Sequence, residues 1–359
     1  MTGAADQIVV VGAGIVGASI AYHLASRGAR VTLVERREPA SGATGSAFGW
    51  INPTADGAPA VAALRALAVA EYRRLERELG RPLVNWSGAL TYGAGEGAAP
   101  HQDARVDWLD REQVGRLEPN LLDPPSRARY ARDEGTLEPA EATRVLVEHA
   151  CAHRALYRGD TDVRSLCVDG ARIVGVRTET DELRADTVVL AAGAQTAALA
   201  ATAGIVLPLR ASPAIRLRMA ARRGLVRTLV SNAEMEVREA ADGSLVAAED
   251  YVDASGPNGP DAIAERTLGT IRRALRGAGD AMLTEVAVGW RPMPEDGVPL
   301  IGRCSGVRGL YVAAMHSGVT LAAAVGRLVS EALMQGATPD ELAALALPEA
   351  GKEWNRVRG

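Results

Sequence analysis

Apolar positions along this chain follow two patterns, and their order predicts the architecture. Ile8-Val9-Val10-Val11 is an unbroken β-branched run, the signature of a strand buried on both faces. The next apolar positions, from Ile15 to Ala25, recur at helical spacing, and Gly28 closes that helix. Val31-Thr32-Leu33-Val34 is a second buried strand, ending on Glu35. The same continuous pattern returns late in the chain, within Ala185–Ala194 and at Gly309–Ala314, and a long apolar helix is predicted from near Gly318 to about Met334. Between these segments lie runs of strict alternation, such as Ala214–Met219 and Met235–Arg238. They read as half-buried antiparallel strands. Further helices are predicted over 60–79, 141–153 and 261–276, a strand around Val84-Asn85-Trp86, and a loop over Ser255–Pro260. The fold class is α/β.

The turn between the first strand and the first helix carries chemistry. Gly12-Ala13-Gly14-Ile15-Val16-Gly17 places glycine where the chain turns tightly, where backbone must approach a pyrophosphate, and where helix meets strand. A helix N-terminus at that point offers free N–H groups and a positive dipole end to phosphate. Glu35 follows 18 residues after Gly17, where a carboxylate accepts both hydroxyls of an adenosine ribose. This predicts an adenine dinucleotide and argues against a 2′-phosphate, but it leaves NAD and FAD open.

The segment after Glu35 bears on that choice. A nicotinamide dehydrogenase would continue with a helix and another strand. Here Arg36–Trp50 is instead rich in small and hydroxyl residues, with Thr44 and Ser46 as donors and Phe48 and Trp50 too apolar for a merely solvated loop. Two distant segments read as parts of the same site: the strand that ends in Ala191-Ala192-Gly193-Ala194, and the Gly289–Gly302 block that precedes Met315–Ala322. The N-terminus of the helix beginning near Gly318 would stabilise negative charge on the N1–C2=O edge of a reduced flavin.

Composition narrows the field. The chain has 359 residues, 47% hydrophobic and 23% charged, enough for a large core and for two domains. A net charge of −4 excludes an electrostatic nucleic-acid binder. Lys352 is the single lysine, so chemistry that needs an internal lysine is excluded. Three dispersed cysteines suit a reducing compartment, and a cytoplasmic location is expected. Five scattered histidines, with only His149 and His153 at i, i+4, predict no metal site. The chain contains no apolar run of membrane-spanning length.

Taken in order, Gly12, Gly14, Gly17 and Glu35, the Ser41–Trp50 loop, the VVLAAGA segment, the RPMPEDGVPLIG block and the HSGVTLA helix start resemble the D-amino acid oxidase superfamily of FAD-dependent oxidoreductases. This group includes glycine oxidase and sarcosine oxidase, and the resemblance spans nearly the whole chain. It implies a Rossmann-type FAD-binding domain (residues 1–80, 140–207 and 286–359) interleaved with an α+β substrate domain built on an antiparallel sheet (81–139 and 208–285). It also implies roles for particular residues. Ile15 and Val16 would pass the pyrophosphate, and Glu35 with Arg36 would meet the adenosine end. Ala43, Thr44, Ser46, Phe48, Gly49 and Trp50 would line the flavin, and the Val163 backbone would meet the adenine. Ala192, Gly193 and Gly289 would approach the cofactor closely. His316, Ser317, Gly318, Val319, Thr320 and Leu321 would cap its pyrimidine edge.

The substrate implied is a small amine or amino acid, oxidised to an imine by hydride transfer to flavin N5, with Arg291 in the position of a carboxylate anchor. Arg291, Glu236 and His316 are the candidate catalytic side chains. On the strand alone, Glu236 suits a solvated face; if turned to the flavin, it would hold an ammonium. FAD is expected to bind non-covalently, since Met293 stands near the flavin-linking cysteine of sarcosine oxidase and the loop lacks histidine. Oxygen or another acceptor takes the electrons, because the lysine that activates oxygen in sarcosine oxidase has no counterpart. Two alternatives stay open: a flavoenzyme tailoring a specialised metabolite, and a dinucleotide-binding protein without turnover.

Overall fold

In the computed structural model, residues 6–53, 59–93, 106–251, 258–345 and 347 are described. His101, Lys352 and the 255–257 part of the expected loop lie outside them.

The continuous apolar runs pair with one another, because only a sheet covered on both faces buries such strands. The strand Gln7–Val11 lies at the middle of a six-stranded sheet, parallel to Arg30–Val34 on one side and Thr187–Leu190 on the other. Leu156–Arg158 continues the sheet beyond Arg30–Val34, and Leu310–Ala314 beyond Thr187–Leu190, with antiparallel Leu300–Arg303 at that edge. The helices Ile15–Ser26, Pro139–Ala152 and Gly318–Gln335 cover one face, sharing a core with Val10, Leu33, Val189 and Ala313. A small antiparallel sheet, Val163–Asp169 with Arg172–Thr178 and Glu182–Arg184, packs on the other through Leu166, Ile173 and Val176.

The first and last of those helices pack closely at Ser19 and Gly326. Ser19 Oγ donates to Ala322 O at 2.8 Å, and a Cβ at Gly326 would lie 2.0 Å from Ser19 Oγ. His23 is sealed in this contact, and burial, ahead of nearby arginines, holds its pKa well below the ordinary histidine value. His149 and His153 present ring edges to Tyr22, and no metal-holding cluster exists among the described residues.

The alternating runs form an eight-stranded sheet, antiparallel except where Leu229–Ser231 runs parallel to Ala89–Thr91. Its longest pairing joins Leu209–Ala220 to Met282–Pro294, with one register shift between Arg218 and Met219, and the Met282–Pro294 strand crosses the expected boundary at 285/286. The alternation decides its two faces. Ile215, Leu217, Met219, Val237 and Ala247 pack against the helix Pro260–Ala274. Their neighbours Ala214, Arg216, Glu236, Arg238, Ala248 and Arg291 face the other way, where Phe48 and Trp50 lie against Val246 and Ala248. A three-stranded sheet of Trp50–Ile51, Gly135–Leu137 and Val84–Asn85 joins the two halves, and Val84 and Leu137 belong to the core of the six-stranded sheet.

Candidate active site

The glycine-rich turn is built as its spacing requires. Gly12 has φ +103°, and a Cβ there would lie 2.5 Å from Ala191 O. A Cβ at Gly17 would lie 1.9 Å from Gly12 O, so this helix turn admits no side chain. Gly14 caps the helix with no side-chain bond. Ala13 N–H donates to Glu35 Oε2 at 2.8 Å and Ile15 N–H to Thr44 Oγ1 at 3.1 Å, which ties turn, acid and loop together. The second Glu35 oxygen accepts from Arg37 N–H at 3.1 Å and Ser41 Oγ at 3.3 Å. Arg36, named with Glu35 from the sequence, points to solvent, while Arg37 donates to Ser41 O and braces the turn.

The loop from Glu35 to Gly49 consists of turns and contains no helix. Gly49 has φ +88°, and a Cβ there would lie 2.2 Å from Leu137 O. Phe48 is held from the sheet side by Arg238, whose Nε donates to Phe48 O at 2.7 Å and whose Nη2 donates to Leu137 O at 3.2 Å. Arg238 is 3% exposed and pairs with Glu138 at 2.8 Å. Sequence reasoning missed it, since an arginine within an alternating strand reads as solvated. Replacing Arg238 with Met is expected to cost about 2–5 kcal/mol, because buried carbonyls lose their donor and an ion pair is broken. A lower urea midpoint of the purified variant checks this.

At the far end of the loop, the helix Gly318–Gln335 begins with Ser317 in the left-handed region (φ +58°). Leu321 N–H makes the first return bond, to Ser317 O at 3.1 Å. The amides of Gly318, Val319 and Thr320 therefore precede the helical ladder. Tyr72 Oη donates to Val319 O. Thr320 Oγ1 donates to Trp50 O at 3.0 Å and accepts from Asn52 N–H at 3.2 Å. Trp50 Nε1 donates to Glu134 Oε2 at 2.7 Å, and Glu134 is 0% exposed.

The sheet face above this helix start carries the candidate substrate groups. A Cβ at Gly289 would lie 2.8 Å from Ser46 Cβ, so loop and sheet meet there. Two residues on, Arg291 donates through Nη2 to Ser212 Oγ at 3.2 Å and Pro213 O at 3.1 Å, and its Nη1 pairs with Asp250 at 3.1 Å. Asp250 is another residue that sequence reasoning missed; it is 81% exposed on its side chain, so this pair is weak. His316 reaches solvent at the rim, where partial desolvation and then the Arg291 and Arg65 charges lower its pKa.

Glu236 lies on the same face and is half-buried, not on a solvated one. Burial, then the charges of Glu249 and Asp250, push its carboxyl up to about 7 against a hydrogen bond from Ser231. The folded protein thus holds this proton more tightly than the unfolded chain. Its contribution to stability is fully present at low pH and is lost as pH rises through about 7. Glu236→Gln is expected to gain stability relative to the wild type on going from pH 5 to pH 8. Urea midpoints at the two pH values measure it.

The cavity of about 880 Å³ lined by Arg216, Arg218, Arg238 and Glu138 contains none of Arg291, Glu236 or His316. It lies behind the loop, between the sheet and the start of the Pro139–Ala152 helix.

Residues 7–332 match the DAO family, described as FAD-dependent oxidoreductases. The chain belongs to this family. Its architecture agrees: the crystal structure of glycine oxidase from Geobacillus kaustophilus superposes with a TM-score of 0.82 at 23% identity, covering 96% of this chain and 99% of that one. Glycine oxidase from Pseudomonas aeruginosa is 30% identical over 93% of this chain and 96% of its own length. The 4-methylaminobutanoate oxidase (formaldehyde-forming) of Paenarthrobacter nicotinovorans is 32% identical over 61% of this chain, but the match covers only 28% of that protein. As a DAO-family oxidoreductase, the chain uses FAD. The residues present fit that cofactor: side chains are sterically excluded at Gly12 and Gly17, and the helix start at Gly14 carries no side-chain cap. No helix among the described residues is long and apolar enough to cross a membrane.

Proposed function

We propose that this DAO-family enzyme oxidises a C–N bond of a small amine or amino acid to an imine, with FAD held non-covalently. The observation that carries the reading is the close approach of Ser46 to Gly289 on the sheet face that also bears Arg291. When bound, FAD supplies the hydride acceptor at N5. The chain's own residues have four tasks. The Gly12–Gly17 turn would hold the pyrophosphate at a helix start, and Glu35 would meet the adenosine ribose. The start of the Gly318–Gln335 helix would offer its positive end to the pyrimidine edge. Arg291 exchanges exposed Asp250 for a substrate carboxylate, whose plane its guanidinium fork fixes. Phe48 and Trp50 exclude water below the sheet.

The names of two relatives, glycine oxidase and 4-methylaminobutanoate oxidase, describe substrates that combine an amine with a carboxylate, which supports Arg291 as the anchor. Electrons leave to oxygen or another acceptor. An anaerobic absorbance titration with a panel of amines and amino acids tests the reading. Bleaching of the oxidised flavin by one of them is the expected result, and admitting air then separates oxidase from dehydrogenase. A yellow protein that no amine bleaches would sink it.

A further inference from the structure

A buried arginine on a different element stands directly behind the helix start assigned to the flavin. Arg65, on the helix Pro59–Leu79, is 7% exposed. Its Nη1 donates to Asn52 O at 2.5 Å and its Nη2 to Ser317 Oγ at 2.6 Å. Its Nε has no hydrogen-bond partner, and neither does Asn52 Oδ1. The two segments that Arg65 grips follow Trp50 and precede Gly318. They are also joined to each other, since Asn52 N–H donates to Thr320 Oγ1 and Thr320 Oγ1 donates to Trp50 O. Ser317 is the residue that must hold a left-handed backbone for the helix to start where it does. Its hydroxyl also lies 3.2 Å from His316 Nδ1.

A guanidinium stays charged at every physiological pH. Burying it costs free energy unless charges nearby compensate. Glu134 acts on it electrostatically, yet that carboxylate already accepts Trp50 Nε1 and lies near Arg129. A bound group that gathers negative charge at the helix start would complete the compensation.

We propose that Arg65 is a positioning residue that fixes Ser317 and Asn52 and adds a permanent positive charge to the Gly318–Gln335 helix start, thereby favouring the reduced, anionic form of bound FAD. The proposal rests on the flavin placement described above and goes beyond it, assigning redox tuning to a side chain on a helix outside the nucleotide-binding motifs. The helix dipole contributes partial charges that fall off within one turn. A full charge in a dry site acts more strongly.

Two readouts independent of substrate test it on the FAD-loaded protein: the two-electron midpoint potential by dye equilibration, and the dissociation constant of sulfite, whose flavin adduct places negative charge on the same edge. Arg65→Met is expected to weaken sulfite binding at least tenfold and to lower the potential by about 30 mV or more, the equivalent of tenfold in a two-electron equilibrium. Arg65→Lys keeps the charge and is expected to recover most of both values. Should Arg65→Met fold poorly, Ser317→Ala replaces it. That variant frees the guanidinium from the helix start and is expected to move both readouts in the same direction by a smaller factor. Loaded variants with wild-type potential and sulfite affinity would overturn the proposal while leaving amine oxidation untouched. Equal losses in Arg65→Met and Arg65→Lys would also overturn it, since geometry alone would then account for them. If the wild type takes up no FAD, both this proposal and the flavin placement fall.

Discussion

Gly17→Ala is expected to abolish stable FAD binding. The methyl group would sit 1.9 Å from Gly12 O, and its next neighbours are Gly12 C and the Ala191 side chain, so no flexible group can yield. Relief requires the helix Ile15–Ser26 to move away from the strand Gln7–Val11. That helix is wedged against Gly318–Gln335, where Ser19 and His23 already crowd Gly326. The cheaper response is to open the turn, which removes the amides and the Ala13–Glu35 bond that shape the proposed pyrophosphate and ribose sites. Loss of about 2–4 kcal/mol in binding corresponds to a 30- to 1,000-fold rise in the FAD dissociation constant. Fluorescence titration of apoprotein with FAD measures it, and far-ultraviolet circular dichroism reports whether the fold survives. A variant that binds FAD like the wild type would remove the Gly12–Gly17 turn from the cofactor site.

Arg291→Ala is expected to leave bound FAD unchanged and to raise KM for carboxylate-bearing amines by two orders of magnitude or more. Truncating one partner of a hydrogen-bonded charge pair in a desolvated site costs about 2–5 kcal/mol. In the free enzyme the arginine is held by Ser212, Pro213 and exposed Asp250, so its removal leaves no deeply buried charge behind. The loss therefore falls on substrate binding and not on folding. Amines without a carboxylate provide the control, because their KM is expected to change little. Unaltered kinetics for every substrate would take Arg291 out of the site.

Both effects act through local backbone and charge chemistry that a linear reading can see. The steric demand at Gly12 and Gly17 and the acid at Glu35 depend on residue type and short spacing, whereas the role of Arg291 came from the resemblance of the block that carries it. The continuous β-branched runs likewise pointed to a sheet covered on both faces, the usual setting of parallel strands. The helix Gly318–Gln335 started at the predicted place, since Gly318 ends one pattern and begins the next.

What the sequence could not decide was the company each side chain keeps. Alternation in Met235–Arg238 shows that Glu236 and Arg238 share a face, but not whether that face meets water or another layer. Packing of Phe48 and Trp50 beneath the sheet decided it, leaving Arg238 buried and Glu236 half-buried. Asp250, Arg65 and Glu134 carry no motif and lie far in sequence from the residues they act on. They enter the site only because packing brings a strand end to Arg291, a helix face to Ser317 and the residue before the Gly135–Leu137 strand to Trp50. Short-range spacing sets which elements form and where a cofactor's backbone contacts must be. Long-range contacts set dielectric and charge at the same atoms, and these depend on the packed tertiary structure.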